Sequence, residues 1–231
     1  MDKCELLVAL EEAKAKGSLL EISDEFLLNL VHSALSFDNP ELQKEEVESV
    51  LAGQYIGVSS DKVRRITNQK NAFLKIVEMA KEGQALTEDA LKDLHQILME
   101  GFNIPGGLYR NVDISVKGSN HTPPSYVKVY DRMEKYINYI AEGPKEDVLE
   151  YISYCHLQLA KIHPFLDGNG RLARLVLNYE LMSNGFAPVI ITADERDKYH
   201  TVLEQFKVEK EIEPFKAYLK ELELKSICKY Y

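Results

Sequence analysis

The sequence predicts an all-α fold with one small β-hairpin. Apolar residues recur at helical spacing in ten successive segments that cover most of the chain. Glycine and proline are sparse, with 12 and 8 residues among 231, and they mark the turns between segments. The alternation typical of a strand is convincing in one place only, at Val112, Ile114 and Val116. The length suits a single compact domain with a substantial core.

Helix starts and stops support this interpretation. Ser23 or Asp24 offers an N-cap to the second helix, and Thr87 caps the fifth. Gly53 and Gly185 end the third and the eighth. The predicted helices cover residues 5–16, 25–35, 45–51, 63–81, 87 onward, 125–141, 146–162, 169 onward, 194–207 and 211–225. We expect residues 1–55 to form an N-terminal helical region within one compact domain, and residues 56–231 to form its core.

The predicted hairpin lies near residues 108–120. The alternating strand leads into a turn at residues 117–120, and a Pro-Pro pair at residues 123–124 closes the segment. From the pattern alone, a surface hairpin without a function is an alternative.

Composition narrows the class of function. The formal net charge of −9 argues against nucleic acid as the main partner. Three widely spaced cysteines indicate a reducing compartment without a disulfide framework. No apolar run approaches membrane-spanning length, and no secretory segment is recognisable. We therefore expect a cytoplasmic protein that does not engage a membrane.

The chemistry concentrates in residues 163–174, which read His-Pro-Phe-Leu-Asp-Gly-Asn-Gly-Arg-Leu-Ala-Arg. Gly168 and Gly170 allow the backbone to approach a ligand closely. Because a helix is predicted from Asn169, the loop presents backbone N–H groups at a helix N-terminus, which favours phosphate. Arg171 and Arg174 are three residues apart and therefore share a helix face. The pattern predicts an anion-binding site.

Two further residues of this stretch carry reactive groups. Asp167 offers the oxygen ligand that Mg²⁺ prefers when phosphates supply the others, although a helix N-cap is an alternative role. His163 is the residue of the stretch that can accept a proton near neutral pH. A histidine elsewhere, His95, lies on an apolar helix stripe, which indicates a structural role.

The stretch is similar at every defined position to the Fic family signature, HPFx(D/E)GNGRxxR, and the resemblance covers most of the chain. It implies a protein adenylyltransferase, which transfers AMP from ATP to a Ser, Thr or Tyr hydroxyl of a target protein or of itself. His163 would be the general base, and Asp167 would hold Mg²⁺ between the α- and β-phosphates. Arg171 would pair with the β-phosphate and Arg174 with the γ-phosphate. The resemblance also implies that Gly168, Asn169 and Gly170 form the phosphate-binding nest.

The predicted hairpin resembles the flap of Fic proteins, which reads G-x-Y/F-R before the strand and G-S-x-x-x-P-P after it. Residues 107–110 and 118–124 fit these two motifs. The resemblance implies that the flap covers the nucleotide, with Gly118 close to it. A target segment would dock by adding a strand along Ile114 and Val116.

The resemblance also places Tyr199 against the adenine, with His200 at a neighbouring position that is often aromatic. Packing between helices is the alternative for both. Lys207 departs from the family, because some relatives have a nucleotide-contacting asparagine there.

Many Fic proteins carry an inhibitory helix, (S/T)xxxE(G/N), whose glutamate pairs with the second arginine of the signature. In the register set by residues 45–47, Asp38 takes the glutamate position and Ala34 replaces the Ser/Thr. The resemblance implies that Asp38 restrains Arg174, although its side chain is one methylene shorter. The alternative is a turn residue before Asn39-Pro40.

Other functions remain open at this point. A protein of the same fold could use another nucleotide-like donor, or remove AMP from modified protein. A non-catalytic nucleotide-binding module is a third alternative. The sequence names no target protein, and it leaves open whether the chain forms a homodimer.

Overall fold

A computed structural model describes residues 3–116 and 118–231, with side chains from residue 5 onward. It confirms the all-α prediction: the described residues form ten α-helices and no strand. The α-helices are α1 Lys3–Lys16, α2 Asp24–Ser36, α3 Lys44–Leu51, α4 Ser60–Glu82, α5 Glu88–Met99, α6 Val129–Glu142, α7 Val148–Ile162, α8 Asn169–Ser183, α9 Arg196–Glu204 and α10 Glu213–Tyr230. None of these helices is long and apolar enough to cross a membrane.

Helix α8 forms the centre of the fold. Its residues are buried on nearly all sides, and Leu172, Val176 and Leu181 have no exposed surface. A helix that is buried all round needs other helices to surround it. Helices α7, α4, α5 and α2 supply these contacts, and α7 and α8 share the most extensive one. The loop between α7 and α8 is thus held by two buried helices.

The N-terminal helices share the same core. Helix α1 packs on α10, and α2 packs on α4 and α8. Phe26 of α2 contacts the rings of Phe73 and Tyr230, at centroid distances of 6.0 and 5.0 Å. One hydrophobic core contains side chains from both sides of residue 55. The assignment of residues 1–55 as a separate N-terminal region of this domain stays a prediction.

The caps follow from the sequence. Ser23 Oγ accepts a hydrogen bond from the Phe26 N–H, and Thr87 Oγ1 accepts one from the Ala90 N–H. Gly185 has a φ of +79°, which glycine adopts without strain at a helix end. Several boundaries differ from the prediction. Helix α4 begins at Ser60 and α6 at Val129, and α10 runs to Tyr230. Helix α9 ends at Glu204 and continues as a π-helical turn, Gln205–Glu209.

The predicted β-hairpin is not formed in the described residues. Residues 108–116 and 118–125, hereafter the flap segment, contain no strand, and Ser119 N–H bonds to Val116 O in a turn. Hydrogen bonds from side chains hold this segment in place of the backbone ladder of a hairpin. The Arg110 side chain donates to Val112 O, and Asp113 Oδ1 accepts from the Tyr126 N–H. Residues 118–125 form the returning limb of the flap segment. This limb contains the adjacent prolines at positions 123 and 124, which have no N–H to donate. The alternation at Val112, Ile114 and Val116 therefore describes an extended loop.

Candidate active site

His163 stands where α7 ends. It adopts the left-handed conformation with a φ of +52°, and its N–H bonds to Leu159 O at 3.0 Å. Its carbonyl oxygen accepts a hydrogen bond from Arg110 Nε at 2.9 Å. The imidazole is half-buried. The backbone of this residue is therefore fixed from two sides, by a buried helix and by the flap segment.

The surroundings of His163 keep its imidazole neutral. Burial, aided by the positive charges of Lys207 and Arg110, lowers the pKa of His163 from 6.5 to about 4. A hydrogen bond with the backbone of Ala160 and the charge of Asp167 act in the opposite direction. At pH 7 the ring is therefore unprotonated, which is the form that can accept a proton.

The loop after His163 is fastened from inside by Asn169. The Asn169 side chain accepts from the Phe165 N–H and donates to the Phe165 carbonyl, both at 2.9 Å. The amide thus binds the loop's own backbone, and it leaves the N-terminus of α8 facing outward. Gly170, in the first turn, is exposed. The anion-binding nest expected from the backbone N–H groups of Gly168, Asn169 and Gly170 stays a prediction.

His95 supports the same loop from α5. Its Nδ1 accepts from the Gly107 N–H at 2.9 Å, so its Nε2 must carry the proton that bonds the Asp167 carbonyl, also at 2.9 Å. The ring stacks on Phe165 at 3.7 Å between centroids, and burial lowers the pKa of His95 to about 4. A neutral, fully buried histidine thus joins the Gly107 turn to the signature loop. This agrees with the structural role indicated by its apolar stripe.

Asp167 has an exposed carboxylate at the edge of the loop. Its Oδ1 accepts from the Gly168 N–H at 2.6 Å, and its Oδ2 lies 4.0 Å from Arg171 Nη2. The N-cap of α8 is Gly168, and no side chain caps this helix, so Asp167 does not take the alternative role of a helix N-cap. In the described part of the chain, no group of three or more His, Cys, Asp or Glu side chains could hold a metal ion. A single accessible carboxylate fits Mg²⁺ when phosphates and water provide the remaining ligands.

The two arginines of the signature are largely enclosed, and each has an N–H without a partner. Arg171 Nη2 contacts Met99 Sδ at 3.6 Å, and Arg174 Nη2 donates to Ala34 O at 3.0 Å. Among the described residues, Arg171 Nη1 and Arg174 Nε are buried and make no hydrogen bond. Buried donors are normally satisfied, so each arginine carries one N–H donor that no acceptor in the described part of the chain serves.

The predicted ion pair between Asp38 and Arg174 is not formed. The Asp38 carboxylate is 67% exposed and lies 3.9 Å from Arg171 Nε. Arg174 is instead held by Ala34 O and by the Phe37 ring, whose centroid is 4.5 Å from its Cζ. Helix α2 ends at Ser36, so Asp38 follows in the turn, where its short side chain reaches the first arginine.

Tyr199 is not available to stack on an adenine. The side chain is 2% exposed, its hydroxyl lies 3.0 Å from His156 Nε2, and its ring packs edge-on against Phe37. Packing between helices, the alternative noted above, describes it. The next residue, His200, is exposed and lines an open cleft together with Gly118 and Asn120. Lys207 is buried and pairs with Glu204 at 3.4 Å.

Two side chains hold the flap segment against the helices. The buried guanidinium of Arg110 donates to the carbonyls of His163, Val112 and Pro124. Glu204 of α9 accepts from the Ser119 hydroxyl and from the Asn120 N–H. Ile114 and Val116, predicted to dock the target, are half-buried. The sequence contains no local signal for Glu204, because its partners lie more than 80 residues away along the chain.

Comparisons with known proteins agree on one family. Residues 85–181 match the family model described as Fic/DOC family. The protein adenylyltransferase Fic of Drosophila persimilis is 31% identical over 178 residues, which cover 75% of this chain and 34% of that relative. The chain thus spans about a third of that relative's length.

Solved structures share the fold. A Fic domain containing signaling protein from Bacteroides thetaiotaomicron superposes with a TM-score of 0.83 at 22% identity, covering 97% of this chain and 93% of that one. IbpAFic2, in complex with adenylylated Cdc42, superposes with a TM-score of 0.55 at 18% identity, covering 98% and 72%. With the complete signature on the loop between α7 and α8, the match to the family model and the Drosophila persimilis relative show that the chain belongs to the Fic/DOC family.

Proposed function

We propose that this chain is a protein adenylyltransferase, which transfers AMP from ATP to a hydroxyl group of a target protein. One observation carries the proposal. A neutral histidine, His163, is fixed at the start of a loop whose two arginines hold buried N–H groups without partners. A base beside unsatisfied cationic donors suits attack by a hydroxyl on a phosphate.

The relatives support the same reaction. The Drosophila persimilis relative is named a protein adenylyltransferase, and the IbpAFic2 structure contains an adenylylated protein, Cdc42. ATP is therefore the proposed donor, and a folded protein is the proposed acceptor class.

In the proposed mechanism the acceptor hydroxyl attacks the α-phosphorus, its proton passes to the His163 imidazole, and pyrophosphate leaves. Arg171 and Arg174 bind the β- and γ-phosphates through their guanidinium groups, with backbone N–H groups at the start of α8. Mg²⁺ held by Asp167 would neutralise phosphate charge. Arg110 and His95 hold the loop in place, so catalysis depends on positioning.

For the nucleoside, we assign the open cleft beside Gly118 in place of a stack on Tyr199. His200 and Asn120 also line this cleft, and an exposed imidazole offers both a flat face and a polar nitrogen to a base. The flap segment forms one wall of the cleft, which is compatible with its expected place over the nucleotide.

For the target, we propose docking along Ile114 and Val116 of the flap segment. Exposed apolar side chains flank this route: Leu108, Val112, Tyr126, Val127 and Tyr130. Tyr109 contacts Tyr130 at 5.2 Å, and Asp113 bonds the Tyr126 backbone, so these side chains belong to one surface. Exposed apolar groups gathered in one place are typical of a protein-binding surface.

We further propose that residues 1–55 restrain the enzyme through the end of α2. The restraint acts on Arg174 through the Ala34 carbonyl and the Phe37 ring. Arg174 must leave these contacts to bind a γ-phosphate fully. Asp38 has a smaller share in this restraint, because its carboxylate is exposed and faces Arg171.

The proposed location is the cytoplasm. Cys155 and Cys228 both carry free thiols, which suits a reducing compartment.

ATP labelled separately at the α- and γ-phosphate tests the reaction. With Mg²⁺ and a cell extract as the source of targets, we expect α-label in protein, no γ-label, and no label with His163→Asn. Label from the γ-phosphate alone would show that the chain transfers the γ-phosphate of ATP to protein instead of AMP. Release of AMP from previously adenylylated protein, without incorporation, would assign it to the reverse reaction. No incorporation from either label, even with Phe37→Leu, would favour another donor or a non-catalytic nucleotide-binding module.

A further inference from the structure

Positive side chains gather behind the returning limb of the flap segment. Lys161, Lys207, Lys210 and Arg132, hereafter the basic cluster, come from α6, α7 and the turn after α9. His121 of the flap segment lies 3.2 Å, through Nε2, from the Lys161 carbonyl. Burial lowers the pKa of His121, and the positive charges of Lys161, Lys207 and Lys210 act in the same direction.

Most of this charge has no counterion within the described chain. Lys207 pairs with Glu204, but Lys161, Lys210 and Arg132 have no carboxylate within 4.0 Å among the described residues. Lys210 Nζ donates to Lys207 O at 3.0 Å, and Lys161 Nζ lies 5.4 Å from the centre of the Phe206 ring.

Two of these ammonium groups also face each other. Burial and the adjacent Lys210 ammonium lower the pKa of Lys161 to about 8, with Arg132 adding to the effect. Adjacent like charges are unfavourable unless an anion compensates them. The arrangement stands out in a chain with 37 acidic and 28 basic residues, where carboxylates are in excess.

The position of the basic cluster relates it to the target. Lys161 precedes His163 by two residues, and His121 belongs to the flap segment along which the acceptor segment is proposed to lie. A bound segment with its hydroxyl at His163 would therefore pass close to Lys161 and Lys210.

We propose that the basic cluster binds acidic side chains of the target protein next to the acceptor hydroxyl, which makes it a determinant of target choice. The inference rests on the proposed function, because it assumes that a protein segment reaches His163. Lysine ammonium groups act as point charges without the planar fork by which arginine binds phosphate bidentately, which suits the carboxylates of Asp and Glu side chains.

The test uses the full chain and two fluorescein-labelled peptides of one length, each with a central Ser, Thr and Tyr. One peptide carries four Glu residues beside these acceptors, and the other carries four Gln. Fluorescence anisotropy without ATP measures binding separately from AMP transfer. We expect the Glu peptide to bind about tenfold more tightly at low salt, with the preference falling as salt rises.

The variant K161Q/K210Q should reduce the preference to about one, and Lys210→Gln alone, at an exposed position, should lower it by about threefold. The matched control K81Q/K145Q removes two exposed lysines outside the basic cluster and should keep the preference. Circular dichroism verifies that each variant is folded.

Equal binding of the two peptides, or a preference that survives K161Q/K210Q, would overturn the inference. A phosphoserine peptide bound by the same lysines in preference to the Glu peptide would assign the basic cluster to phosphate and overturn it as well. Failure of the proposed function is distinct, since it would appear as a retained Glu preference with no α-label transferred to any protein.

Discussion

Arg110 Nε donates a hydrogen bond to the carbonyl oxygen of His163 across 2.9 Å. The same guanidinium donates to Val112 O and Pro124 O, and the Arg110 backbone N–H bonds Pro164 O at 2.9 Å. One fully buried side chain therefore joins both limbs of the flap segment to the residue proposed as the base. Arg110 therefore links the position of the flap segment to that of the loop that carries His163.

Arg110→Gln should damage both stability and transfer. It leaves buried carbonyl groups without donors, which costs about 2–4 kcal/mol of unfolding free energy, and it releases the flap segment from His163. Urea unfolding measures the first effect, and α-label incorporation, expected to fall at least tenfold, measures the second. Arg196→Lys, at an exposed position on α9, should change neither. Full transfer activity in a folded Arg110→Gln protein would show that the hydrogen bond between Arg110 and the His163 carbonyl is not needed for transfer.

Gly170→Ala separates folding from ligand binding. A Cβ at Gly170 would meet only Arg174 Nη1 at 3.5 Å, an ordinary contact, so the unfolding free energy should change by less than about 1 kcal/mol. The added methyl group nevertheless occupies the surface where phosphate oxygens are proposed to approach. Isothermal titration with ATP should show at least tenfold weaker binding.

The control for Gly170→Ala is Gly17→Ala, because its Cβ would meet nothing within 4 Å. It should leave both stability and ATP affinity unchanged. ATP affinity that is also unchanged in Gly170→Ala would place the phosphates away from the start of α8.

Phe37→Leu should raise the transfer rate more than Asp38→Gly does. The ring of Phe37 lies over the Arg174 guanidinium, an interaction of about 0.5–2 kcal/mol, whereas the Asp38 carboxylate is exposed. We expect α-label incorporation to rise severalfold with Phe37→Leu and less than twofold with Asp38→Gly. Phe73→Leu, a buried ring in the core, serves as the packing control. A larger rise with Asp38→Gly than with Phe37→Leu would show that the Asp38 carboxylate, and not the Phe37 ring, is the main restraint.

As the pH is lowered, kcat/KM should fall only at a pH well below the pKa of an ordinary histidine. The pKa of His163 is lowered to about 4, so the ring is protonated, and unable to act as a base, only as the pH falls through that value. The ratio kcat/KM should therefore change little from pH 8 to about 5.5. Circular dichroism at each pH excludes unfolding as a cause. A midpoint between pH 6 and 7 would mean that the base is more hydrated than this geometry implies.

Features that depend on neighbouring residues were predictable from sequence. Helical periodicity located the helices, and Ser23 and Thr87 cap theirs as expected. The loop before α8 was also predictable, because its residues are contiguous. Tertiary contacts decided the rest: the partner of Ser119 is Glu204, far along the chain, and the burial of Tyr199 depends on His156 and Phe37. The contact of Asp38 with Arg171, and not with Arg174, likewise depends on how the turn after α2 lies against α8, which is a tertiary contact.

The left-handed backbone of His163 bears on the choice of an inactive enzyme. Alanine at this position removes the imidazole and also adopts the left-handed region less readily than histidine does, which would blur the interpretation of a lost activity. Asparagine tolerates this region more readily than other residues with side chains. His163→Asn should thus abolish proton transfer while preserving the loop, and it is suited to trapping a complex with ATP and target together.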